Sequence, residues 1–320
     1  MKDRIVFSGG LCTRRTFIKS VSVILGGMGS ALVSLAGAQT SQGRKVRPEI
    51  GLALGSGGAT GLAHIPMLEV FDELGIKPGI IAGSSIGSII GALYASGLSG
   101  KEIRRIVNEF SGLNMETLKV LVQGDWGLKL TDLLRLDLDA GGLVDSQGFL
   151  NFLKTKIRVS SFEELSIPLK VVAADYWKRK QVVLDKGDLL SAVKASMAVP
   201  GLFAPVALND KLLVDGGTVN PLPYDILEQE CDIVVAVDVS GDRTVEQSDP
   251  PDLSDSLFNA FEIMQQSIIF EKMKHRQPDI YIRPQVRDVR LLHFHRFGQI
   301  FEQAVPAADK LKKELKSYLE

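Results

Sequence analysis

The chain has 320 residues, a hydrophobic content of 45% and a formal net charge of −1 at pH 7, enough for one large core or two modest ones. Its 37 Lys and Arg are balanced by 38 Asp and Glu, which excludes the basic excess of a nucleic-acid-binding protein. The 31 Gly and 13 Pro are scattered, which excludes a fibrous or low-complexity class.

The chain begins with a targeting pattern. Residues 13–19, TRRTFIK, place two arginines ahead of an apolar run over 21–35, and Ala36 and Ala38 then occupy the −3 and −1 positions of a signal-peptidase site. This layout predicts a twin-arginine export signal over residues 1–38, a mature start at Gln39 and a periplasmic or secreted location. A retained membrane anchor is the alternative, although the apolar run is short for a span of ~20 residues. Residues 39–48 read as a solvated leader. Of the two cysteines, Cys12 falls in the signal, so Cys231 is left without an intramolecular partner and reads as a buried structural thiol.

From residue 49 a single α/β domain is expected to reach residue 320. EIGLALG (49–55) is an apolar strand ending in the loop GSGGATG (55–61), which opens a helix running to Gly75. PGIIAGSS predicts a second strand, and 86–96 a second helix. This strand–loop–helix rhythm is that of parallel α/β units. Residues 101–165 read as amphipathic helices able to cap the sheet. Strands are expected over 167–176, 180–187, 211–217 and 231–240, with a helix in LLSAVKASMAVPG ended by Pro200. Residues 241–256 carry a Pro-Pro pair in a polar run and read as a mobile loop. Two further helices flank the strand-like DIYIRPQV.

Three segments carry chemistry. Gly83-Ser84-Ser85-Ile86-Gly87 is a G-x-S-x-G between a strand and a helix, with Gly83 and Gly87 permitting a tight turn that exposes the Ser85 hydroxyl. The following helix would aim its N-terminal amides at an oxyanion forming there. In the upstream loop, Gly57 and Gly58 can present backbone N–H groups to the same oxyanion, each worth ~3 kcal/mol. A nucleotide phosphate loop is the rival reading, but no Gly-Lys-Ser/Thr follows and Thr60 breaks the G-x-G-x-x-G frame. Third, LLVDGGTVNPLP delivers Asp215 at a strand end before Gly216 and Gly217. The carboxyl ends of parallel strands are where functional groups gather, and Ser85, Gly57, Gly58 and Asp215 are all expected there.

LALGSGGATGLAHIPML, GSSIGSIIGALYASG, AVKASMAVPGLFAPV and LLVDGGTVNPLPYDIL together resemble the successive motifs of patatin-like phospholipases, in the bacterial branch akin to neuropathy target esterase. The similarity runs from about Glu49 to about Arg283. It implies a three-layer α/β/α fold with a mainly parallel central sheet and lipid acyl-ester hydrolysis of phospholipase A, lysophospholipase or esterase type. It also implies no cofactor and no metal. Carried across, the resemblance makes Ser85 the nucleophile and Asp215 the general base, with Gly57 and Gly58 as oxyanion donors. Two departures stand out: Thr60 replaces the family's usual arginine in the glycine loop, and Pro66 interrupts the helix that follows.

Two other readings stay open. A Ser–Asp–His triad of the α/β-hydrolase kind is compatible with the chain order, because His275, His293 and His295 all follow Asp215. An exported lipid-binding protein without catalysis would keep the same fold. His293 and His295 could share one face of a strand, and His64 reads as a packing residue. The stretch VRLLHFHRFGQ (289–299) fits either contact with a membrane surface or, preferred, half a core face with a solvated basic edge. Trp126 and Trp177 have no assignable role.

Overall fold

A computed structural model describes residues 49–112, 147–242 and 253–319. The export signal and leader, residues 113–146 of the expected cap and most of the 241–256 loop lie outside these residues. The order of elements is β1 (Ile50–Leu54), α1 (His64–Glu73), β2 (Ile80–Ser84), α2 (Ile86–Ala95), α3 (Gly100–Gly112), α4 (Gln147–Lys156), β3 (Leu169–Asp175) and β4 (Lys180–Leu184). There follow α5 (Leu189–Ser196), β5 (Val206–Leu208), β6 (Lys211–Asp215), β7 (Ile233–Val237), α6 (Leu253–His275), β8 (Ile280–Ile282) and α7 (Phe297–Leu319).

The strands form one eight-stranded mixed sheet. Strands β3, β2, β1, β7 and β8 run parallel in that order, which matches the expected central parallel sheet. Each of these central strands is an apolar run because both faces are covered. Leu52, Leu54, Ile81, Val171, Val235 and Val237 point into one core with residues of α1, α2 and α7. Ala53, Ala82, Val234 and Ala236 point the other way, against Leu222, Tyr224 and Ile269 of α6. Side chains alternate between the two faces, as the two-residue period of a strand requires.

The antiparallel part is what the sequence pattern did not disclose. β4 lies antiparallel along one edge of β3, from Val171 to Asp175. The other edge of β3 is divided. β2 pairs with it in parallel up to Ser84 opposite Val172, and β6 pairs antiparallel from Leu213 opposite Asp175 to Asp215 opposite Ala173. Two strands therefore arrive on one edge end to end, carboxyl terminus facing carboxyl terminus. β5, a three-residue strand absent from the expected set, closes a hairpin with β6 through Asn209 and Asp210, both at positive φ. Among the described residues no helix is long and apolar enough to cross a membrane.

Candidate active site

Ser85 sits between Ser84, the last residue of β2, and Ile86, the first of α2. Its backbone is at φ 54°, ψ −123°, a conformation that L-residues rarely adopt and that costs on the order of 1–3 kcal/mol. That strain is held by close packing. A Cβ added to Gly87 would lie 2.2 Å from Leu54 O and 2.8 Å from Gly55 O, so only glycine lets α2 begin against the end of β1. Gly83 faces Gly87 across the turn, and the Ser85 N–H donates to Ser196 Oγ at 2.9 Å. Ser196 in turn donates its hydroxyl to Val172 O at 2.6 Å. Ser196, missed in the sequence, thus ties the serine turn to the strand shared by β2 and β6. It can do so because α5 stops at Ser196 rather than at Pro200, leaving Ala198 O to accept the Asp215 N–H at 2.9 Å.

Asp215 is fully buried, and burial pushes its carboxyl up to about 7 from the ordinary aspartate value. Two groups oppose that shift, the Ser85 hydroxyl and the Gly217 N–H, which donates to Oδ1 at 2.7 Å. Oδ2 lacks a partner of regular hydrogen-bond geometry among the described residues, so the Ser85 influence is a loose contact rather than a formed bond. Among the described residues, the hydrogen bonds of the Asp215 carboxylate involve no histidine. A Cβ on Gly216 would lie 2.1 Å from Val172 O and 2.7 Å from Ser84 Oγ, so the turn after Asp215 is pressed onto the serine turn. Gly217 abuts Ser56 Oγ and the Nε2 of Gln265, a buried residue of α6 that the sequence did not single out.

The expectation that every functional group lies at the carboxyl end of a parallel strand therefore needs correction. Asp215 ends a strand of opposite direction, and it reaches Ser85 because β6 terminates level with Ala173, one residue beyond the partner of Ser84.

The glycine loop runs alongside, with Gly87 packed on Gly55 O and Gly217 on Ser56 Oγ. The N–H groups of Gly55, Ser56 and Ala59 donate to Val237 O, Pro221 O and Leu291 O. The N–H groups of Gly57 and Gly58 have no hydrogen-bond partner among the described residues. Gly58 adopts φ 58°, and Gly57 is extended. Thr60 is buried, with Oγ1 2.6 Å from Gly57 O and 2.5 Å from Val239 O, its one hydroxyl proton shared between the two carbonyls. It thereby ties the glycine loop to the segment that follows β7. Pro66 falls in the first turn of α1, where a missing N–H costs little.

The histidines lie elsewhere. His64 is buried with Nε2 donating to Gly55 O at 2.8 Å, and burial lowers it to about 4, so it stays neutral. His275 is exposed at the end of α6, beside Glu271. His293 precedes a 3-10 turn and His295 lies within it, not on a strand, with ring centroids 5.2 Å apart. The 289–299 stretch is divided between core and solvent: Val289 and Leu291 are buried, and Leu291 backs the glycine loop, while Arg290, Leu292 and Arg296 are exposed.

The model of the patatin-like phospholipase family matches residues 52–228, from the glycine loop through the Asp215 turn, and the chain belongs to that family. Among its relatives, a protein of Mycobacterium tuberculosis (strain H37Rv), named as an uncharacterized NTE family protein, is 34% identical over 200 residues, which is 61% of this chain and 50% of that one. Lysophospholipase NTE1 of Kluyveromyces lactis is 26% identical over 279 residues, 79% of this chain but 18% of the yeast protein. This chain thus spans half of the mycobacterial relative and under a fifth of the yeast one. Among solved structures, VipD from Legionella pneumophila aligns with a TM-score of 0.44 at 15% identity, over 82% of this chain and 67% of that one. ExoU of Pseudomonas aeruginosa, in complex with SpcU, aligns at 0.45 and 14%, over 86% and 53%.

Proposed function

We propose that the protein is a serine hydrolase of lipid acyl esters, of phospholipase A or lysophospholipase type, working through a Ser85–Asp215 dyad. The observation that carries this reading is the end-to-end arrival of β2 and β6 on β3, which sets a strained serine beside a buried carboxyl raised to about 7. An aspartate at its ordinary pKa is too weak a base to help a serine hydroxyl, and one near neutrality is much better matched.

Ser85 Oγ attacks the ester carbonyl while Asp215 takes its proton and then delivers it to the departing alcohol. The free N–H groups of Gly57 and Gly58, with the positive end of α2, hold the oxyanion. A water deprotonated by Asp215 then attacks the acyl-enzyme, and the fatty acid leaves as Ser85 regains its proton. Membership of the patatin-like phospholipase family and the similarity to a protein named lysophospholipase favour a lipid over other esters. Export by the twin-arginine route is part of the same reading. Mass spectrometry of protein recovered from an expressing bacterium tests it: a periplasmic form beginning at Gln39 supports it, and an uncleaved cytoplasmic chain overturns it.

The experiment that decides the chemistry is labelling of the folded chain with a fluorophosphonate probe. Label is expected on wild type and on a His275/His293/His295→Ala variant, absent from Ser85→Ala, and strongly reduced in Asp215→Asn. No label on folded wild type rejects the enzyme reading, and loss of label in the histidine variant replaces the dyad with a triad. Because Asp215 must be ionised to accept the proton, ester hydrolysis should rise as pH increases through about 7 and level off above it. A profile flat from pH 5 to 9, as round bounds about that value, would remove Asp215 as the base.

A further inference from the structure

The connection between β3 and β4 lies past the candidate active site along β3. β3 passes Asp215 at Ala173 and continues to Asp175, and the turn beyond it carries Tyr176, Trp177, Lys178 and Arg179 before Lys180 starts β4. All five of these residues are exposed. Trp177 is 73% exposed and Tyr176 48%, their rings meeting edge to face at 4.9 Å. Lys178, Arg179 and Lys180 have no ion pair among the described residues.

The turn is built to hold this display. Asp175 Oδ1 accepts the N–H groups of Trp177 and Lys178 at 3.1 and 2.9 Å, and its backbone O accepts the Arg179 N–H at 2.8 Å. Arg179 adopts φ 54°, and the Tyr176 N–H donates to Leu212 O, which docks the turn against the neighbouring β5–β6 hairpin. That hairpin adds Lys211 and a single acidic residue, Asp210, beside the tip. Four cations therefore face one exposed carboxylate, while the Asp175 carboxylate is buried and occupied with the turn.

A large exposed indole and phenol cost free energy in water. At a bilayer surface both find a place, with the ring among the headgroups and the polar edge toward water. Lysines and arginines flanking such rings are drawn to an anionic surface, by about fivefold in affinity per charge. An acidic soluble partner would satisfy the cations but would leave a protruding Trp177 needing a pocket of its own. We propose that the Tyr176–Lys180 tip is a docking element for the surface of an anionic phospholipid bilayer. It takes its purpose from the lipid-hydrolase reading, since it would bring the end of the sheet beyond the dyad to the membrane, but the binding itself requires no catalysis.

The test is co-sedimentation of the full chain with vesicles of phosphatidylcholine alone and of phosphatidylcholine mixed with phosphatidylglycerol. Four proteins are compared: wild type, Ser85→Ala, Trp177→Ala, and Lys178→Gln/Arg179→Asn/Lys180→Gln, where Asn suits the positive φ. Wild type and Ser85→Ala should bind the anionic vesicles alike and lose binding as salt is added. The triple variant should bind on the order of a hundredfold more weakly, and Trp177→Ala about tenfold. With Trp126→Phe removing the other indole, Trp177 emission should shift to the blue on vesicle addition. Both tip variants should hydrolyse a short water-soluble ester at the wild-type rate. Wild type failing to bind anionic vesicles, or binding them as well after the tip changes, overturns the proposal. Tip-dependent binding without ester hydrolysis leaves it standing while removing the enzyme reading, and hydrolysis without tip-dependent binding does the reverse.

Discussion

Asp215 has opposite effects on stability and on the proposed reaction. Its folded-state pKa is raised to about 7 from 3.8, so the folded protein holds the proton more tightly than the unfolded chain does. Above pH 7 the fold carries the full cost of a buried carboxylate, and that cost is relieved as pH falls from about 7 towards 4. Asp215→Asn should therefore stabilise the protein at high pH by on the order of 2 kcal/mol, with the gain gone near the low end of that window. Thermal melts of the variant across pH, set beside its loss of hydrolysis, check both halves. His64 pulls the other way. Lowered from 6.5 to about 4, it contributes stability above pH 6.5 that is lost as pH falls to 4. Between these limits the two buried groups oppose each other, and a His64→Gln variant should become more stable on acidification where wild type changes little. Ser85 was legible in the sequence because a glycine-flanked serine between an apolar strand and a helix is a local pattern. Ser196 was not, because its role depends on a strand and a turn that meet it only in the fold. Ser85→Ala should leave stability within about 1 kcal/mol of wild type, whereas Ser85→Thr, a β-branched residue forced to φ 54°, should cost about 2 kcal/mol despite keeping a hydroxyl.

At the level of elements, α2 and α6 hold the site from opposite sides. α2 begins against the end of β1, and Gly87→Ala would drive a methyl to 2.2 Å from Leu54 O, a backbone atom that cannot step aside. Denaturant titration should show a loss on the order of 3 kcal/mol. α6 presses Gln265 onto the Asp215 turn, and two turns later Lys272 binds the segment after it, reaching Asn220 Oδ1 at 2.6 Å, Leu222 O at 2.5 Å and Asp225 Oδ1 at 2.6 Å. Lys272→Met leaves those acceptors short of a donor, with an expected cost of about 2 kcal/mol and a lower turnover, read by melts and by ester kinetics together. The core strands were legible as apolar runs, as was the glycine loop. β5 was not, since three residues, two half-buried and one exposed, are too short a run to register. Nor was the direction of β6: an apolar run ending in Asp-Gly-Gly reads the same whichever way its neighbour points.

For the whole molecule, the division of one β3 edge between β2 and β6 has a consequence for how activity arises in time. Ser85 and the Ser196 that steadies it are 111 residues apart in the chain, and Asp215 lies further on still. Local units such as β1–α1 and β2–α2 can form early, but the pairing of β6 with β3 closes a long loop and belongs among the slow, non-local events. Helical signal should thus return before hydrolysis during refolding from denaturant, and a chain released before residue 215 would carry a complete serine turn with no base. On the proposed reading, the protein would be unable to hydrolyse its substrate while it is still being made.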